Sequence, residues 1–290
     1  MNYNTYFILN YSYDSWLYKK RLLEFLIENY EELAKIPSFP KFVEIKDKIK
    51  KPMKSKSVIH SLKIEYFAST LHITEALFAL LWGFQKDINK LWVNLFEYRL
   101  GNDLAPYVEE VIKGNKFSDD DINFLFYGNA NLSEIKKRDP KAYKKMKESI
   151  ETIKLYLPDL AKWFIQHKKF YNSYKHGLRF IRGDISPIVV PDEFSEWFKN
   201  GDMESIIFPE EDKNGLKPKI TLLRYDKVKR IYKINYKLIW NMFYTLRQLY
   251  KIQKGEKLGS IAVNMFDKKE IEDLFFLMEV KAKVTFKDKD

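Results

Sequence analysis

The sequence predicts a mainly α-helical bundle that carries a small antiparallel β insertion. Three observations predict it. Apolar residues recur at helical spacing over long stretches, most strongly from Val58 to Phe84. Gly and Pro number only 10 each in 290 residues, too few for a loop-rich β sandwich. After Gly177 the texture changes to short β-rich runs, and helical spacing then returns.

Along the chain, Trp16, Leu17, Leu22, Leu23, Phe25, Leu26, Tyr30 and Leu33 mark one amphipathic helix over Asp14 to Leu33, ended by Pro37 and Pro40. Lys41 to Lys56 reads as a polar connection with a short helical turn. Ser57 is the expected N-cap of the next helix. Its run from Val58 to Phe84 is apolar around most of its circumference, the pattern of a helix in the middle of a bundle. Shorter helices are expected over Lys90 to Leu100 and Asp103 to Ile112, the second stopped by Gly114. Ser118 followed by Asp119, Asp120 and Asp121 reads as an N-cap with an acidic first turn, which suits the positive helix end. Gly128 to Leu132 is a loop. Pro140 opens a long helical run, with Pro158 at a kink or at the start of a new helix, and Gly177 is the expected stop. Leu178 to Ile181, Ile185 to Val190, Met203 to Phe208 and Lys219 to Tyr225 read as strands. Asn235 to Ile252, closed by Gly255, and Lys268 to Val280 read as the last helices. The segments are therefore 1–56, an N-terminal helix and basic connection; 57–177, the bundle core; 178–225, the β insertion; and 226–290, the returning and final helices.

Composition sets bounds on function. With 46% hydrophobic and 16% aromatic residues the chain has ample material for a core and is not disordered. It has no cysteine, which excludes disulfides, thiolate metal sites and cysteine nucleophiles. The N-terminal residues lack a basic region followed by a clean apolar run, so no signal peptide is expected. His72 and Glu75 interrupt the most apolar stretch, so no membrane span is expected and a cytoplasmic location is. The net charge of +11 and pI of about 9.3 imply a polyanionic partner, RNA or DNA. A Lys-, Asn- and Ile-rich composition accounts for the total charge but not for its clustering in Lys41 to Lys56 and Lys136 to Lys147. No Gly-x-Gly-x-x-Gly, P-loop, Gly-x-Ser-x-Gly or His-Glu-x-x-His pattern occurs, so no nucleotide cofactor is expected.

The densest polar cluster is His167-Lys-Lys-Phe-Tyr-Asn-Ser-Tyr-Lys-His176-Gly177. Asn172 and His176 are four apart and share a helix face. A helix C-terminus favours the imidazolium, so His176 is placed to exchange a proton with a phosphodiester while Asn172 holds phosphate or orients the ring. The bland alternative is a histidine and lysines that merely offset the helix dipole.

Asn172-Ser-Tyr-Lys-His176-Gly177, late in a helical bundle, resembles the terminal motif of the HEPN superfamily. The resemblance implies a bundle of four to five helices and a metal-independent endoribonuclease or RNA-binding protein, in a defence or toxin setting. It also implies a homodimer in which both protomers contribute to the site, and a 2′-hydroxyl attack that leaves a 2′,3′-cyclic phosphate. His176 corresponds to the motif histidine and Asn172 to the polar residue after the motif arginine. The arginine itself is replaced: its three permitted positions hold Tyr171, Phe170 and Lys169. Lys169, Lys175 and Arg179 are the candidate phosphate contacts, and Glu75 is the candidate supporting acid, to be paired with His176, Lys169 or Arg179. Two other readings stand beside this one. A non-catalytic helical scaffold or homodimer would use the same cluster as architecture. A metal-dependent bundle enzyme would draw on Glu65, His72 and Glu75 along one helix face, but the matching Glu-x-x-His is absent and no metal is expected.

Overall fold

The fold is taken from a computed structural model that describes residues 3–39, 43–46, 49–52, 54–175, 181–182, 203–212, 215–256, 263–272 and 274–275. Among them the chain is mainly α-helical. The helices are α1 (Tyr3–Asn10), α2 (Asp14–Leu33), α3 (Ser55–Asp87), α4 (Leu91–Glu97), α5 (Ala105–Ile112), α6 (Asp119–Tyr127), α7 (Leu132–Arg138), α8 (Pro140–Lys175), α9 (Tyr225–Gln253) and α10 (Lys268–Ile271). Strands β1 (Val43–Lys46) and β2 (Ile49–Pro52) pair antiparallel, as do β3 (Ile181–Arg182), β4 (Met203–Asp212) and β5 (Gly215–Arg224), in that order.

The residues form two compact units, each assembled from separated stretches. The first comprises Met1–Trp16, Leu71–His167 and Arg230–Phe275. Leu77 and Phe78 of α3, Phe126 of α6, Leu157 and Leu160 of α8, and Leu238 and Phe243 of α9 are among its fully buried apolar residues. A polar thread runs through this core. The Tyr156 hydroxyl donates to Asn235 Oδ1 at 2.7 Å, and Asn235 Nδ2 donates to Thr74 Oγ1 at 2.8 Å. Most buried polar groups in folded proteins are paired in this way. Arg247 of α9 ties down the N-terminal stretch, donating to the carbonyls of Ile8 and Tyr11, both at 3.1 Å.

The second unit comprises Leu17–Thr70, Lys168–Lys229 and Phe276–Asp290. Its described core joins Leu23, Ile27 and Tyr30 of α2, Ile64, Tyr66 and Phe67 of α3, and Phe170 and Tyr171 of α8. The Phe67 and Phe170 rings lie 5.0 Å apart.

Several local expectations hold. Helix α2 has the bounds its periodicity predicts. Ser118 caps α6 in a reciprocal box with Asp121, and Gly128 ends it in the left-handed conformation. Others are corrected. Ser57 is not a cap: α3 starts at Ser55, and the Lys54 carbonyl already accepts from Ser57 N–H at 2.8 Å. The Lys41 to Lys56 connection contains the β1–β2 pair rather than a helical turn. Val43 and Ile45 alternate there with Glu44 and Lys46, a two-residue period. Helix α8 runs unbroken past Pro158, because buried Ile153, Tyr156 and Leu157 before it and Leu160, Ala161 and Phe164 after it hold both sides in one core. Helix α9 starts at Tyr225, ten residues before the predicted Asn235, since Val228, Ile231 and Tyr232 already face the interior. The predicted helix over Lys268 to Val280 is described only as Lys268–Ile271, and 276–280 lie outside the described residues.

Candidate functional site at the C-terminal end of α8

The last turns of α8 are anchored by their apolar side. Phe170 and Tyr171 are each 1% exposed, which leaves Lys169 exposed and Asn172 half-buried. Two of the three positions where the resemblance would place an arginine are thus core positions, and only Lys169 can present a cation to solvent. Lys175 is the last residue of α8. His176, Gly177 and Arg179 lie outside the described residues.

The sequence reading missed the group that organises this end of the helix. The hydroxyl of half-buried Tyr174 donates to Glu65 of α3. Glu65 also takes an ion pair from Lys19 Nζ at 2.9 Å and a hydrogen bond from Ser69 Oγ at 3.3 Å. Burial, reinforced by the Glu65 carboxylate, raises the Tyr174 pKa, so the phenol keeps its proton as a donor. A parallel set lies beside it in the same unit. Lys20 Nζ meets Glu24 at 2.6 Å, and Tyr66 donates to Glu24 at 3.1 Å. Consecutive lysines of α2 therefore each reach a carboxylate that is also held by a tyrosine. Glu65 carried a weak signal in the sequence, as a carboxylate one heptad before His72, but nothing local points to a phenol 109 residues away.

Glu75, the expected supporting acid, lies on α3. It is 4% exposed in the first unit and accepts from the Tyr98 hydroxyl at 3.1 Å. Lys169 and Asn172 belong to the second unit. Burial of Tyr98, with the neighbouring Glu75 charge, raises that phenol's pKa. Glu75 and His72, three residues apart on α3, differ in exposure. His72 is exposed, with the Trp16 ring edge-on at 4.8 Å, while Glu75 is buried. Among the described residues no three His, Asp or Glu side chains converge as a metal site.

The Lys136 to Lys147 cluster forms an elbow in the first unit. Lys136, Lys137 and Arg138 close α7, and Lys141, Lys144, Lys145 and Lys147 open α8, all exposed. The Asp139 carboxylate accepts from the N–H groups of Lys141 and Ala142, each at 3.0 Å, and fixes the corner. Arg138 pairs with Glu134 at 2.5 Å. Lys141, in the first turn of α8, opposes the helix dipole, so helix stability does not account for it. By length and composition, Ser55–Glu97 contains a stretch apolar enough to cross a membrane, and 83% of that stretch is buried within the fold.

No family model, curated protein or solved structure matches the chain.

Proposed function

We propose that the chain binds RNA, and cleaves it without a metal, at the C-terminal end of α8, as a HEPN-like bundle with its β strands inserted after Gly177. The observation that carries this reading is the Glu65 carboxylate bound to both Tyr174 and Lys19. It brings an acid, a cation and a protonated phenol to the turn that holds Asn172 and leads into His176. Glu65, rather than Glu75, takes the part of the supporting acid. The net charge of +11 and the α7–α8 elbow further support a polyanionic partner.

In this mechanism the ribose 2′-hydroxyl attacks the adjacent phosphorus and the bond to the 5′-oxygen breaks. The 2′-hydroxyl proton passes to solvent water, His176 gives a proton to the leaving oxygen, and the products are a 2′,3′-cyclic phosphate and a 5′-hydroxyl. Lys169 and Arg179 contact the phosphate, and Asn172 orients it. Lys169 supplies charge but not the two-pronged grip of an arginine.

The test is cleavage of pooled RNA in EDTA by wild type and His176→Ala. Cyclic-phosphate ends from wild type alone support the reading. No cleavage by either protein, both folded by circular dichroism, removes it. A second reading, a non-catalytic scaffold, draws support from the burial of Phe170 and Tyr171 where an arginine is called for.

A further inference from the structure

Helix α2 presents apolar side chains on two faces. Its inner face buries Leu23, Ile27 and Tyr30. On its outer face Tyr18, Leu22 and Phe25 are 67%, 57% and 52% exposed. The solvent side of an amphipathic helix is ordinarily polar. Here three large apolar groups stand at spacings of four and three, the seam along which helices pair.

The charges beside that seam are asymmetric. Arg21 flanks it in the N-terminal half of α2, and Glu28 and Glu32 flank it in the C-terminal half. Exposed Arg21 and Glu28 lie seven residues apart on one flank of the seam. The acidic end also opposes the helix dipole, which disfavours carboxylates at a C-terminus.

From these features we infer that α2 is the contact between two copies of the chain, packed antiparallel across a two-fold axis between Leu22 and Phe25. In that register Leu22 faces the partner's Phe25, and Tyr18 faces the partner's Asn29. In antiparallel pairs each flank meets the same flank of the other helix. Arg21 then stands within about 3 Å of helix rise of the level of the partner's Glu28, and the two-fold repeats the pair. A single surface is thus complementary to itself in both shape and charge, which selects a second copy over an unrelated protein. The inference stands apart from RNA cleavage, because it uses none of the residues assigned to that chemistry and is read by mass.

The experiment is sedimentation velocity on the full chain over a concentration series. Wild type is expected at twice 34.9 kDa. Arg21→Glu alone and Glu28→Arg alone place like charges at both contacts and shift the species to monomer, with at least a tenfold weaker association. The double variant Arg21→Glu/Glu28→Arg restores the dimer. Leu22→Asp also gives monomer. All three positions are exposed, so circular dichroism is unchanged throughout. Monomeric wild type at the highest concentration overturns the inference. So does a dimer indifferent to the single substitutions, or a double variant that stays monomeric.

Discussion

The hydroxyl of Tyr174 donates to the carboxylate of Glu65, across 109 residues of sequence. This bond fixes the last turn of α8 on α3. Tyr174→Phe and Glu65→Gln should each leave the fold intact. Their effects on urea stability should be non-additive, with a coupling of about 1 kcal/mol, modest because the Lys19–Glu65 pair is partly exposed. Each should also lower kcat for RNA cleavage about tenfold, equivalent to one hydrogen bond of about 1.4 kcal/mol. An additive pair with unchanged kcat would remove Glu65 from the site.

A buried polar thread makes the first unit sensitive at one position. Asn235→Leu leaves the Tyr156 hydroxyl without its acceptor in a fully buried setting. The expected loss is about 2–3 kcal/mol in urea unfolding. Tyr156→Phe should cost less, and adding it to Asn235→Leu should recover part of the loss. A neutral Asn235→Leu would contradict the thread.

Alkaline pH should unfold the protein through its phenols. Burial raises the pKa values of Tyr98, Tyr107, Tyr127, Tyr156, Tyr174 and Tyr225. A raised folded pKa favours the protonated form, so the stability it contributes is complete below the unfolded value of about 10 and is lost as pH rises above it. Absorbance at 295 nm should show these six silent until circular dichroism reports unfolding. Their ionisation at pH 10 to 11 in folded protein would refute the burial.

The α7–α8 elbow gives a prediction of its own. Replacing Lys141, Lys144 and Lys145 with alanine should weaken RNA binding similarly for all sequences. The slope of log affinity against log salt should shrink by about 2, at about 0.7 per phosphate contact on single strands. An unchanged slope would remove the elbow from the proposed RNA contact.

What could be read in advance follows the range of the interactions involved. The bounds of α2, the Ser118 cap and the Gly128 stop rest on neighbours within a few residues, and periodicity reports those. The ten residues of α9 before Asn235 were missed because lysines interrupt the apolar pattern, while Val228, Ile231 and Tyr232 are buried by tertiary packing. The same limit applied to the site. Lys169 and Asn172 were visible as a helical polar cluster. The Tyr174–Glu65 bond and the Glu75–Tyr98 bond join distant segments, and no spacing rule announces them.

The way the two units share the chain bears on its biosynthesis. Each is assembled from three stretches, and the first unit needs residues of 230–275 to complete it. Tyr232 donates to the Trp16 carbonyl over 216 residues, and Arg247 reaches Ile8 over 239. A nascent chain therefore emerges with α3 and α8 able to pair, as Phe67 and Phe170 do, but with the core of the first unit incomplete. The first unit cannot close on the ribosome before α9 has left the exit tunnel, so the protein should rely on chaperone protection late in its synthesis.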